Sequence, residues 1–106
     1  MSNSKVLENL KNHGDSLEVA RPVDHWVYFK SLNEQRNFIK KVEDLGFTVV
    51  EKTTAIENKN YPYKLVISRK DHVDQLSIDQ CTLVLFELAK QANAQYDGWE
   101  TQVIRN

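Results

Sequence analysis

Cys81 is the single cysteine of this 106-residue chain, and His25 and His72 are the histidines that could serve as its activating base. Such a pair would make a thiolate nucleophile if the two side chains met in polar surroundings. Cys81, however, falls on an apolar stripe with Val84, Leu85, Leu88 and Ala92 at helical spacing, where a free cysteine behaves as a small hydrophobe. Asp71 with Asp74, and Glu43 with Asp44, are the closest carboxylate pairs. General acid–base work needs a pocket and a shifted pKa, and these pairs read instead as helix-end and surface charges. His13, His25 and His72 fall in three separate elements and lack zinc-ligand spacing. With three glycines in all, a phosphate-cradling loop has no material. No catalytic residue, metal or cofactor is therefore expected.

The elements that would position these residues follow from periodicity. Residues 4–12 form a short helix stopped by Gly14, and residues 15–22 an arm. Asp24–Phe29 is aromatic and β-branched and reads as a strand with both faces partly apolar. Ser31 and Glu34 make a capping box. The helix behind it carries Leu32, Phe38, Ile39, Val42 and Leu45 on one face. Gly46 ends it. A strand from Phe47 to about Lys52 and another over Tyr61–Arg69 form an antiparallel hairpin around the polar turn Glu57–Asn60. Ser77 with Gln80 reads as a second capping box, with Leu76 as a staple, opening a helix to about Ala94. Tyr96-Asp97-Gly98-Trp99 leads the last strand, through Ile104.

From residue 24 the order is β-α-β-β-α-β. It predicts an α+β, ferredoxin-like sandwich, a four-stranded antiparallel sheet with two helices on one face. The expected division is a helix and arm over 1–22 and the ferredoxin-like unit over 23–106. Which face Trp26 and Tyr28 take, and whether the second face is solvated, covered by the arm or used, stays open.

Composition points to a soluble cytoplasmic protein. Apolar residues are 41% and charged residues 27%, as in ordinary globular domains. Apolar runs are too short to cross a membrane, and no signal-peptide pattern opens the chain. The net charge of −1 gives no general pull toward nucleic acid. Charge is unevenly spread, though. Residues 53–70 balance at +3, whereas residues 71–100, with Asp79 and Glu87 among six acids against Lys90, balance at −5. An acidic helical face could dock on a basic partner. In the other direction, Tyr63, Lys64, Arg69 and Lys70 on the third strand suggest an alternative RNA-binding surface, although the G-F/Y-G/A-F core of the RNA-recognition motif is missing.

Three features carry a family resemblance: Tyr96-Asp97-Gly98-Trp99 after the second helix of the sandwich, the run Arg21-Pro22-Val23-Asp24-His25-Trp26-Val27-Tyr28-Phe29, and Leu45-Gly46-Phe47 closing the first helix of the sandwich. Together they resemble the RraB family of ribonuclease E regulators and its uncharacterised bacterial relatives, over about residues 5–104. The resemblance implies a cytoplasmic, non-enzymatic protein that binds a protein partner, ribonuclease E in the founding members, and damps RNA decay. Its signature places candidate partner contacts at Tyr96, Asp97, Gly98 and Trp99, and the −5 balance over residues 71–100 adds Asp79 and Glu87 on the acidic helix. Founding members carry an acidic tail after this segment; here seven residues follow Trp99, and Glu100 stands where a glycine is expected. A nucleic-acid-binding module using the open sheet face and the basic 59–70 hairpin, and a small regulatory or ligand-binding domain that oligomerises through the sheet, as a homodimer, are the alternative readings.

Overall fold

Strict alternation along β1 (Arg21–Phe29) decides the architecture. Arg21, Val23, His25, Val27 and Phe29 are buried, while Pro22 is exposed and Asp24, Trp26 and Tyr28 are partly exposed. One face of this strand is therefore core and the other meets solvent. A computed structural model describes residues 3–105. It contains α1 (Asn3–Asn12), β1, α2 (Leu32–Asp44), β2 (Thr48–Thr54), β3 (Tyr63–Asp71), α3 (Gln75–Gln91) and β4 (Gln95–Thr101).

The strands form one antiparallel sheet in the order β2-β3-β1-β4. This is the split βαβ arrangement, with α2 and α3 crossing over one sheet face. Under them Val27, Phe29, Leu65 and Ile67 of the sheet meet Phe38 and Val42 of α2 and Leu85 and Ala89 of α3. A second core lies beside it, where Leu7 and Leu10 of α1 and Leu17 of the arm meet Val23, Val73, Ile78 and Trp99. The arm thus packs on the helical side, and among the described residues no element covers the other face of the sheet.

Ser31 caps α2 as its spacing predicts, accepting from the Glu34 N–H at 3.2 Å while its hydroxyl donates to the Glu34 carboxylate at 3.0 Å. At the far end the Gly46 N–H donates to the Glu43 carbonyl and that of Phe47 to Val42, a Schellman closure. It requires the φ of +92° that Gly46 adopts.

The second helix of the sandwich opens earlier than expected. Its N-cap is Asp74, not Ser77, so Leu76 sits inside the helix and is 68% exposed rather than stapling its start. Asp74 accepts from the Ser77 N–H at 3.2 Å and the Ser77 hydroxyl donates back at 2.8 Å. A carboxylate at the positive end of a helix dipole outcompetes a hydroxyl three residues on. The expected stripe on this helix also shifts: Cys81, Leu85 and Ala89 are buried, whereas Val84 is 46% exposed.

The arm and the C-terminal segment are fastened by one ion pair. Arg21 Nη2 donates to Asp15 Oδ1 at 2.9 Å, and Nη1 to Oδ2. Both side chains are almost wholly buried. Asp15 also accepts from the N–H groups of Leu17 and Ile104, and Arg21 donates to the carbonyls of Val19 and Gln102. Every charge-bearing oxygen is thereby hydrogen-bonded, which a buried pair needs to offset desolvation. The Arg21 guanidinium holds the Asp15 carboxyl well below the usual carboxylate range, against the opposing effect of burial.

Candidate functional site

The Tyr96–Trp99 segment works through a β-bulge. Across the β1–β4 ladder Val27 faces Tyr96 and Trp26 faces Gly98, leaving Asp97 as an extra residue. Gly98 has a φ of +119°, open to glycine and strained for an L side chain. Three residues apart on a regular strand, Tyr96 and Trp99 would point to opposite faces. With the bulge both point to the helical side, paired with Val27 and His25 respectively.

Trp99 is nearly buried, and its indole donates to Asn3 Oδ1 at 2.8 Å. Asn3 in turn donates to Asp79 Oδ1 at 2.9 Å and to the Thr82 hydroxyl at 2.8 Å. Gln75 donates to both Asp79 oxygens at 3.0 Å. This chain of bonds ties β4, α1 and α3 around a groove of about 650 Å³, lined by Asn3, Asp79, Leu83, Phe86, Tyr96 and Asp97 among others. Leu83 is 62% exposed and Phe86 48% exposed at its lip. No lysine or arginine lines the groove, and neither Asp79 nor Asp97 is ion-paired among the described residues.

Of the residues singled out in the sequence, then, Tyr96, Asp97 and Asp79 meet at one groove, with Trp99 and Gly98 in the strand beneath. Glu87 is exposed on α3 but outside the groove. It lies eight residues beyond Asp79, roughly 80° further round the helix. Asn3, Leu83 and Phe86 belong to the groove and escaped sequence reasoning. The signal for the last two was legible, since they sit three apart and off the core stripe of α3.

The residues of the alternative surface divide between two faces. Lys64 and Lys70 lie on the uncovered face, Lys64 bridged to Glu51 at 2.9 Å. Tyr63 packs against the first core on the helical side. The Arg69 guanidinium lies 4.2 Å from the Phe47 ring centre, pairs with Asp71 at 2.9 Å and donates to the Leu45 carbonyl at 2.8 Å.

The structure also unites Cys81 and His25, 56 residues apart. The sulfur lies 3.8 Å from His25 Nε2, and His25 Nδ1 lies 2.8 Å from the Tyr96 hydroxyl. Nucleophilic use would need a thiolate facing an imidazolium. Here burial pushes the thiol up to about 11 and, with help from Arg69, holds His25 down to about 3. Burial also raises the Tyr96 phenol. All three groups are neutral near pH 7, so they act as a hydrogen-bonded filler of the core. Among the described residues no group of three acidic, histidine or cysteine side chains could hold a metal ion, and no helix is long and apolar enough to cross a membrane.

These features define a small ferredoxin-like α+β domain whose reactive groups are held neutral inside and whose accessible groove is acidic and apolar. Over residues 1–101 the sequence matches the family model described as Regulator of ribonuclease activity B, and the chain belongs to that family, RraB. It is a family of regulators rather than of catalysts. A search of the curated proteins gave no significant match.

Proposed function

We propose that this protein is a non-enzymatic, cytoplasmic regulator that binds ribonuclease E, or an enzyme like it, and damps RNA decay by occupying its surface. The groove between α1, α3 and β4 is the contact, with Tyr96, Asp97 and Asp79 inside it and Gly98 and Trp99 holding its floor. The observation that carries the reading is the presence, in a ribonuclease-regulator family, of two carboxylates with no ion-pair partner among the described residues beside two exposed apolar side chains in one groove. Carboxylates steer and orient a basic segment, and Phe86 and Leu83 supply the apolar anchor that binding energy needs. Glu87 adds to the acidic field of α3 without entering the groove.

Titration of full-length ribonuclease E with this protein, at low and at physiological salt, tests the reading. Binding that weakens as salt rises is expected. No binding at low salt would end the ribonuclease E assignment.

A further inference from the structure

The uncovered face of the sheet is separate from the groove and carries partly exposed aromatic side chains that a partner would cover. We propose that this partner is a second copy of the same chain, two sheets meeting face to face about a two-fold axis that runs along the strands between β1 and β3.

The centre of this face is apolar. Trp26 and Tyr28 of β1 point to it and are partly exposed. Val66 stands directly opposite Trp26 and is buried, yet belongs to neither core. Around this centre the charges are sorted. Asp24 and Glu100 face each other directly across the β1–β4 ladder, a like-charge placement that costs stability. Neither has an ion-pair partner among the described residues, and nor does exposed Lys70 of β3. The acids without an ion-pair partner thus lie on the β1–β4 half and the unpaired cation on the β3 half, where Glu51 is already bridged to Lys64.

A two-fold interface requires a surface complementary to itself. Rotation about the stated axis exchanges β1 with β3. Trp26 then lies over the second copy's β3 at the level of Val66, where the exposed part of its own ring is covered, and Lys70 comes within two residues of its Asp24, about 7 Å along the strand, a span a lysine side chain bridges. Each such contact occurs twice, and each relieves the opposed carboxylates. An RNA strand would fit worse. Its phosphates would meet Asp24, Glu51 and Glu100 against Lys64 and Lys70, so the face offers no net positive charge. Four strands ~4.8 Å apart and ~24 Å long give roughly 450 Å² per copy, ~900 Å² in total. That is below the standard interface size, so the dimer is weak and depends on concentration.

Sedimentation equilibrium of the whole chain from low to high micromolar concentration, with charge-reversed variants, decides the matter. The expected result is a monomer–dimer equilibrium with a dissociation constant of roughly tens of micromolar. Lys70→Glu alone and Asp24→Lys alone should each weaken association about tenfold or more. An equimolar mixture of the two variants should recover it, because both interfacial pairs are then attractive. That recovery cannot arise from the diagonal Lys70–Asp24 neighbourhood within one sheet. Both positions are surface charges, and unchanged thermal unfolding of each variant verifies that it folds. A monomer throughout the range overturns the proposal, as does association insensitive to the reversals, or a mixture no tighter than its components. Binding of single-stranded oligouridylate that Lys70→Glu abolishes, without self-association, assigns the face to RNA and overturns it equally.

Discussion

The Tyr96 hydroxyl and His25 Nδ1 lie 2.8 Å apart inside the core, in a contact that joins the Asp-Gly bulge of β4 to the central strand. The ring of His25 also stands edge-on to Phe47 at 5.7 Å. A histidine wrapped in this way is kept neutral by its surroundings, and the consequence is measurable.

Acid should unfold this protein through His25 first. Its folded pKa is depressed from 6.5 to about 3, so below pH 6.5 the unfolded chain binds a proton that the folded one refuses. Stability should therefore fall as pH drops from about 6.5 toward 3, by at most ~1.4 kcal/mol per pH unit from this group. Asp15, also depressed, adds its own loss only below the ordinary carboxylate range. Urea midpoints across pH 7 to 4 should show the slope, and His25→Gln should flatten it between pH 6 and 4. A wild-type midpoint constant over that interval would refute the buried-neutral assignment.

Breaking the Asp15–Arg21 pair should cost far more than removing it. Asp15→Leu alone leaves a buried guanidinium without its counter-ion, and Arg21→Met alone a buried carboxylate, for a loss of ~3–5 kcal/mol each. The double change Asp15→Leu with Arg21→Met should recover much of that, since no buried charge then remains. Denaturant unfolding of the four members of this cycle gives the coupling. Additive single losses would mean the clamp is not one unit.

Gly98→Ala should destabilise by about 1–3 kcal/mol, because φ is +119° there. At ~4–8 °C per kcal/mol for a chain of this size, the melting temperature should drop by roughly 5–20 °C. Asp97→Ala, beside it and exposed, should shift melting by a degree or two. Equal shifts for the two would show that the strand relaxes around the new methyl.

Cys81 should be a poor nucleophile. With its pKa pushed up to about 11 from 9.0, its thiolate fraction at pH 8 is about 100-fold lower than that of an exposed thiol. Burial slows access further. Disulfide-exchange reagents should label the native protein only as it opens, and urea should restore ordinary reactivity. Fast labelling of the native state would reopen the case for thiol chemistry with His25.

Much of the fold was legible because its signals are local. The Ser31–Glu34 spacing and Gly46 mark both ends of α2, and the element order suffices to give the sheet topology. The cap of α3 is ambiguous in sequence because Asp74-x-x-Ser77 and Ser77-x-x-Gln80 overlap, and only the backbone geometry chooses between them. The faces of β1 were ambiguous because Trp26 and Tyr28 look as apolar as Val27 and Phe29; helix packing settled which side they take. The Cys81–His25 contact and the Asp15–Arg21 clamp had no local signature. The first spans 56 residues. The second joins two residues of a segment that read as a mere arm, and its meaning comes from the carbonyl of Gln102 and the N–H of Ile104. In the groove, Tyr96 and Asp79 were recognisable, but Asn3, which links Trp99 to α3, looks like any polar residue near a chain end.

The surplus residue at Asp97 makes β4 a ribbon with two phases. Before it the strand keeps step with the first core, to which Tyr96 belongs, and after it with the second, where Trp99 fastens α1. Excising that one residue would force a choice: either ring could stay inside only by turning the other out into water. A single unpaired position thus lets one short strand serve two separate hydrophobic centres, and a length change there would be felt at both ends of the molecule.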